Sequence, residues 1–218
     1  MSLCYISTNK GKAFSVMERG IERNIEIEWK KIEIDELDVS KVEEVSKDKA
    51  MKAYEKVKEP CFVEDSGFYI DGYPNKKDYP GTLVKRSGIS SNIEELLETM
   101  KHIEDRNCHF VSCVTYYDGE ELKQFTSFSS GMLSKEIRGT IDETARSRLW
   151  EVFIPEGYQK TLAEMTEEER EERRKKGHSS FDDFLDWYES VKLNKSSKSK
   201  INVKQGRNIV SNRKTMIK

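Results

Sequence analysis

Residues 62–74 read FVEDSGFYIDGYP. Cys61, Phe62 and Val63 begin the apolar run of a buried strand, and Phe68, Tyr69 and Ile70 resume it. Between them stand two adjacent acids, Glu64 and Asp65, then Ser66 and Gly67. One reading ends the strand at Val63 and makes EDSG an Asp-initiated polar turn. The other puts the acids at the mouth of a cleft, where carboxylates do chemistry. The segments around the stretch decide between them.

Upstream, LCYIS (3–7) reads as a short buried strand, TNKGK as a turn, and Lys12 to about Arg23 as a helix. IEIEWKKIEI (25–34) alternates apolar and polar residues, the pattern of a half-buried strand. From Lys41 to Val57, Val42, Val45, Ala50, Ala53, Tyr54 and Val57 fall near a 3.6-residue period, which predicts a helix. Downstream, SSNIEELLETMKHI opens with capping residues and early acids, as helices do. CHFVSCVTYY (108–117) is a β-branched and aromatic strand; Asp118-Gly119 is a hairpin signal, LKQFTSFSS the returning strand and GMLSKEI a candidate third. TEEEREERRKK reads as a charged helix with i,i+4 pairs, and SFDDFLDWYESV as a last amphipathic helix. Strands alternating with helices, plus a long hairpin, predict an α/β fold on a mixed sheet. From Asn194 the chain turns basic and serine-rich, which predicts a domain over 1–193 and a flexible tail over 194–218.

Composition narrows the function. The chain has 218 residues, of which 36% are charged and 35% hydrophobic, yet its formal net charge is only -2. No bulk field therefore argues for nucleic acid or a membrane surface. No apolar run approaches the roughly 18 residues of a membrane span. The N-terminus MSLCYISTNK lacks the features of a secretory signal, so the expected compartment is the cytoplasm. Cys4, Cys61, Cys108 and Cys113 show no CxxC spacing and read as small buried thiols.

Three further segments bear on the acids. STNKGK (7–12) follows the first strand and opens the first helix, where backbone N–H groups and Lys12 suit a phosphate, although the spacing is not that of a Walker A loop. PGTLVKRSG (80–88) presents Lys85 and Arg86 on a turn. FIPEGYQKTLAEMTEEER (153–170) is a loop leading to a helix capped at Thr166. Each alone also reads plainly, as a strand–helix turn, a solvated basic turn and a capped helix.

In order and spacing, these segments resemble the inosine triphosphate pyrophosphatase family, from about Leu3 to Tyr188. STNKGK resembles its TxNxxK motif, FVEDSGFYIDGYP with PGTLVKRSG its EDSG…PG block, and FIPEGYQKTLAEM its FxPxGxxxTxAEM block. The resemblance implies a long mixed central sheet between two α/β lobes with a nucleotide cleft. It implies cleavage of a nucleoside triphosphate, such as ITP, dITP or XTP, to the monophosphate and pyrophosphate with Mg²⁺, usually by a homodimer. It makes Asp65 the catalytic aspartate and a metal ligand, with Glu64 beside it. Glu36 is the nearest candidate for a further metal-binding glutamate, with Glu43 and Glu44 as alternatives. Ser7, Thr8, Asn9 and Lys12 match phosphate-loop positions, Lys49 a lysine on the triphosphate, and Lys85 a cleft lysine. Ser66 and Gly67 would admit the ligand closely, and Arg170 stands where the family has a lysine.

The match departs at the base-recognition end. Where the family carries FGYDP, this chain reads ARSRLWEVFIP, so that Arg148, Leu149, Trp150 and Glu151 replace it. Trp150 is a candidate to stack on a base and Glu151 to accept from a base N–H. The family's SHR falls at RRKKGHSSF, with Lys175 and Lys176, or His178 after a small shift, in its place. An altered base pocket follows. A Maf-like pyrophosphatase for pyrimidine or modified nucleotides, and a nucleotide- or nucleic-acid-binding protein without turnover, are the competing readings.

Overall fold

In the computed structural model, residues 2–143 and 145–193 are described, the last two by backbone alone. The expected tail, 194–218, lies outside the described residues. The described chain falls into two compact units, one ending at Phe181 and one beginning at Asp182.

The stretch that posed the question is one uninterrupted strand, β3 (Cys61–Ile70). It pairs antiparallel with β5 (Asn107–Tyr117) from Cys61 opposite Tyr117 to Ile70 opposite Cys108. EDSG is therefore not a turn. A partner strand along its whole length, with burial of Glu64 and Asp65, overrides the local turn preference of Asp, Ser and Gly.

Around β3 the chain forms β1 (Leu3–Ile6), α1 (Lys10–Glu22), β2 (Ile27–Lys30), α2 (Val42–Val57), β4 (Tyr79–Gly81), α3 (Ile93–Thr99), β6 (Leu122–Leu133), a 3-10 turn (Arg148–Glu151), β7 (Phe153–Pro155), α4 (Glu167–Lys176) and α5 (Ser180–Trp187). A π-helical run, Tyr188–Leu193, follows α5. The seven-stranded sheet has the order β2-β1-β3-β5-β6-β7, with β4 on β3. β1 is parallel to β2 and β3, and the other pairings are antiparallel, so the sheet is mixed as expected. Within the described residues no helix is long and apolar enough to cross a membrane.

Several boundaries differ from the sequence reading. β2 is only four residues long, because Ile32 and Ile34 leave the sheet and pack against α2's core cluster. GML belongs to β6, a single twelve-residue strand, since β5 is long enough to pair it as far as Met132. Pro80-Gly81 and FIP, read as a turn and a loop, fall in short strands that pair with β3 and β6. Pro80 is tolerated because β4 is an edge, where a missing N–H breaks no ladder.

Strand alternation sorts the core onto two faces. The even residues of β3 share a face with Phe68 and Ile70, which pack with Ile93, Leu96, Met100, Leu133, Leu149 and Phe153. The odd residues share a face with Cys61 and Val63, which pack with Cys4, Ile6, Ala50 and Ala53 of β1 and α2. All four cysteines are buried and free. α2 buries Val42, Val45, Ser46, Ala50 and Ala53, close to the predicted stripe.

One edge of β3 is incomplete. β1 reaches only Cys61 and Phe62, and β4 takes up the same edge only from Phe68. Among the described residues, 64–67 have no strand partner on that side, although the opposite edge is fully paired.

Gly67 lies in this window, and its missing side chain is a packing requirement. A Cβ there would lie 2.8 Å from the Tyr69 ring, 2.9 Å from the Gly81 carbonyl and 3.0 Å from Val42. Gly67 also lines the cleft, and the protein itself fills the space that a side chain there would take. Gly67→Ala is expected to lower stability by about 1–3 kcal/mol, read as a reduced midpoint in denaturant unfolding. An unchanged midpoint would show that Tyr69 and Val42 yield freely.

Candidate active site

The unpaired window of β3 opens into a cleft of about 1410 Å³. That exceeds the roughly 300–1,000 Å³ of an ordinary small-molecule pocket. One wall begins at the Ser7–Asn9 loop, which is shaped by its own side chains. The Ser7 hydroxyl accepts from the Asn9 N–H at 3.1 Å, and Asn9 Oδ1 caps α1 by accepting from the Lys12 N–H at 2.9 Å. Ser7 is buried and Thr8 exposed.

Adjacent residues of a strand point to opposite faces, and the acids obey this. On the even face, Glu64 Oε1 accepts from Arg146 Nη1 at 2.7 Å and lies 4.0 Å from Lys12 Nζ. Lys12 Nζ also donates to the Glu64 carbonyl at 3.2 Å and to Ser66 Oγ at 3.1 Å. On the odd face, Asp65 Oδ1 accepts from Lys49 Nζ at 2.7 Å, and the same ammonium donates to Glu36 Oε1 at 3.0 Å. The two neighbours in sequence thus serve different cation clusters. Asp65 is instead joined through Lys49 to Glu36. Arg86 donates to the Glu36 carbonyl at 2.8 Å and steadies that loop. Glu43 and Glu44 are not in the cleft lining, and Glu44 instead pairs with Lys41.

The charges are mutually tuned. Burial opposes ionisation of Glu64, but Arg146 and then Lys12 outweigh it and hold the carboxyl below its ordinary range. Burial likewise opposes the Lys49 charge, yet Asp65 and Glu36 raise its pKa. Lys12 goes the other way: burial lowers its pKa despite Glu64 and Asp65. Each buried carboxylate still has one oxygen, Glu64 Oε2 and Asp65 Oδ2, without a hydrogen-bond partner. Such an orphaned oxygen is costly unless a cation or donor meets it. Among the described residues, no three His, Cys, Asp or Glu side chains converge as a metal cage. Asp65, with its orphaned oxygen, and Glu36, joined to it through Lys49, nevertheless suit Mg²⁺, which typically keeps waters and takes one or two carboxylates plus phosphates.

Toward the other end, Lys85, Trp150, Arg170, Lys176 and His178 line the cleft. Trp150 is partly buried against the main core cluster, with the Arg170 guanidinium 5.5 Å from its ring centroid. Arg170 is held by the Met165 carbonyl at 2.6 Å. Two expected base-site residues are absent from the lining. Glu151 is buried and accepts from Arg148 Nε at 2.9 Å, because the 3-10 turn directs it away. Lys175 is exposed and pairs with Glu171 at 3.2 Å, one turn back on α4.

The sequence reading missed Arg146, which bonds Glu64 and donates from Nη2 to Ser15 Oγ at 3.0 Å. Its carbonyl accepts from Asn9 Nδ2 at 3.1 Å. It also missed Arg19, whose Nη2 donates to Ser179 Oγ at 2.7 Å and whose guanidinium lies 4.5 Å from the Phe181 ring centroid. No periodicity marks these residues, since each contact joins segments distant in sequence.

Comparison with known proteins agrees with this architecture. The dITP/XTP pyrophosphatase of Pyrococcus horikoshii is 32% identical over 86% of this chain and 96% of its own length. That of Saccharolobus solfataricus is 30% identical over 84% and 93%. Among solved structures, a nucleoside-triphosphatase / dITP/XTP pyrophosphatase from Mycobacterium abscessus superposes with a TM-score of 0.63 at 24% identity, covering 81% of this chain and 95% of its own. A HAM1 protein from Coxiella burnetii gives 0.64 at 21%, covering 78% and 90%. At those identities the structures speak to the fold alone. The sequence profile of the Ham1 family matches residues 3–187, and the chain belongs to that family.

Proposed function

We propose that the protein is a nucleoside-triphosphate pyrophosphohydrolase acting on non-standard purine nucleotides of the ITP, dITP and XTP class. The observation that carries this is the convergence of Lys12, Lys49, Asp65 and Glu36 on the unpaired window of β3, where the Ser7–Asn9 loop enters α1. The kinship with proteins named dITP/XTP pyrophosphatases supports the substrate class.

In this mechanism the triphosphate lies against the α1 N-terminus with Lys12 and Lys49 beside it, so that fixed cations meet the charge that develops on the leaving pyrophosphate. Asp65 orients a water and draws off its proton as the water oxygen attacks the α-phosphorus. The bond to the α–β bridging oxygen breaks, its electron pair leaves with pyrophosphate, and the proton passes to solvent. Mg²⁺ held by Asp65 and Glu36 would supply Lewis-acid neutralisation of phosphate oxygens. Glu64 acts differently: it fixes Arg146 and Lys12, and through them the loop that cradles the phosphates.

Asp65→Asn should cut pyrophosphate release from ITP by at least about a hundredfold. A panel of ITP, XTP, UTP, dTTP and the other NTPs and dNTPs then reads the base. Preference for UTP or dTTP would favour the Maf-like alternative, and no release from any nucleotide would favour binding without turnover. Metal titrations separate the two glutamates. Glu36→Gln should raise the Mg²⁺ concentration for half-maximal rate, whereas Glu64→Gln should leave it unchanged and raise KM. The reverse pattern would make Glu64 the ligand.

The Glu64–Arg146 pair also sets an acid limit. A carboxyl whose folded pKa lies below its ordinary 4.5 adds stability above that pH and loses it as the pH falls through the folded value. Arg146→Ala leaves burial as the leading influence. Stability at neutral pH should then drop by about 1–3 kcal/mol, the pair being partly exposed. The acid-unfolding midpoint should move to higher pH in thermal melts between pH 3 and 8. Parallel pH profiles for variant and parent would refute this role.

A further inference from the structure

The even face of the sheet carries a row of hydroxyls between two apolar clusters. Ser66 of β3 stands opposite Ser112 of β5, and Ser112 opposite Ser127 of β6. Ser129, two residues along β6, shares that face and stands opposite Phe110. All four line the cleft. On one side of the row Phe62 stacks with Tyr5 and Phe181; on the other Phe68, Phe110 and Phe153 pack together. A strip of serines at the centre of such a face serves no packing purpose, because hydroxyls cost burial energy unless bonded. Ser127 is only 8% exposed. Among the described residues, neither Ser112 nor Ser127 has a side-chain hydrogen-bond partner.

Both ends of the row meet cations. Ser66 Oγ accepts from Lys12, and Ser129 Oγ accepts from Arg173 Nη2. Arg173 lines the cleft from α4, and burial lowers its pKa. It pairs with no carboxylate among the described residues. A guanidinium carries five donors and keeps its charge, so holding it half-buried in the cleft without an acid suits an electron-rich ligand. Two strand spacings separate Ser66 from Ser127, about 10 Å. Arg173 therefore stands clear of the Lys12 phosphate corner, where the other end of a nucleotide would lie.

Building on the pyrophosphatase reading, we infer that Ser112 and Ser127, with Arg173 positioned by Ser129, form the strip that reads the nucleoside, with Arg173 donating to an oxo group of the base. Serine hydroxyls both donate and accept and tolerate either edge, whereas Arg173 only donates and so selects a base with a carbonyl there. This gives the cleft a base-reading cation other than Lys175, Lys176 or His178.

Steady-state kinetics with ITP and ATP, and inhibition by inorganic tripolyphosphate, test the assignment. Arg173→Met is expected to lower kcat/KM for ITP by about tenfold to a hundredfold, as loss of a charge-assisted hydrogen bond implies. ATP should be affected less, so the ITP-to-ATP ratio falls. The Ser112→Ala, Ser127→Ala double variant should raise KM for both nucleotides about tenfold. Inhibition by tripolyphosphate, which has no nucleoside, should be unchanged in both variants, a control that global misfolding would fail. An unaltered ITP-to-ATP ratio in Arg173→Met, or equal weakening of tripolyphosphate and nucleotide, overturns the inference. If the parent enzyme hydrolyses no triphosphate, the pyrophosphatase reading itself falls and this assignment with it.

Discussion

The unbroken ladder between β3 and β5 is what the site depends on. Because β3 is paired along its whole length on that side, its other edge can stay open over residues 64–67 without loss of the strand. Change from a parallel neighbour, β1, to an antiparallel one, β4, on a single edge creates the opening. Ligands of open α/β sheets gather where strand neighbours diverge in this way, since loops part there and expose backbone and side chains together. Strand alternation then distributes function: one acid to each face, each with its own cations.

That arrangement carries a cost which binding can relieve. Buried carboxylates are stabilised only by close, well-directed cations, and removing one partner leaves an uncompensated charge. Here Lys49 is shared by Asp65 and Glu36, and Lys12 by Glu64 and Ser66. Both lysines are thus held in place beforehand. An incoming triphosphate draws on them without having to order long flexible side chains, which reduces the entropic cost of binding. The orphaned oxygens of Glu64 and Asp65 are further polar capacity left unused by the protein itself.

Much of this was legible in the sequence, and the failures have physical causes. α2 and β5 followed from periodicity and β-branched content, and the Thr166 cap of α4 from local chemistry alone. Asp65 and Lys12 sit in ordered motifs and Lys49 was named from the family resemblance; all three line the cleft. The turn reading of EDSG fails because local propensity is weak against a complete ladder. The packing role of Gly67 was not legible, because Tyr69, Val42 and Gly81 crowd it only once β4 has folded back on β3. Arg146 was invisible because its value lies in a contact with Glu64 across distant chain segments. Glu151 and Lys175 were plausible by position but are turned elsewhere by a 3-10 turn and by a helical ion pair.

Helix α4 shows why the base end departs most from expectation. It buries no residue. It is held by its capping box and by pairs such as Glu171 with Arg174 and Lys175, in which the Glu171 carboxyl is pulled down to about 2. A helix stabilised locally can exchange its cleft-facing side chains without disturbing a core, so its sequence is weakly constrained by the fold. β3 lacks that freedom, since each residue there must satisfy a ladder, a face and a neighbouring charge at once. The phosphate end is therefore readable from motifs, whereas the base end has to be read from which face of the sheet and which side of α4 meet across the cleft.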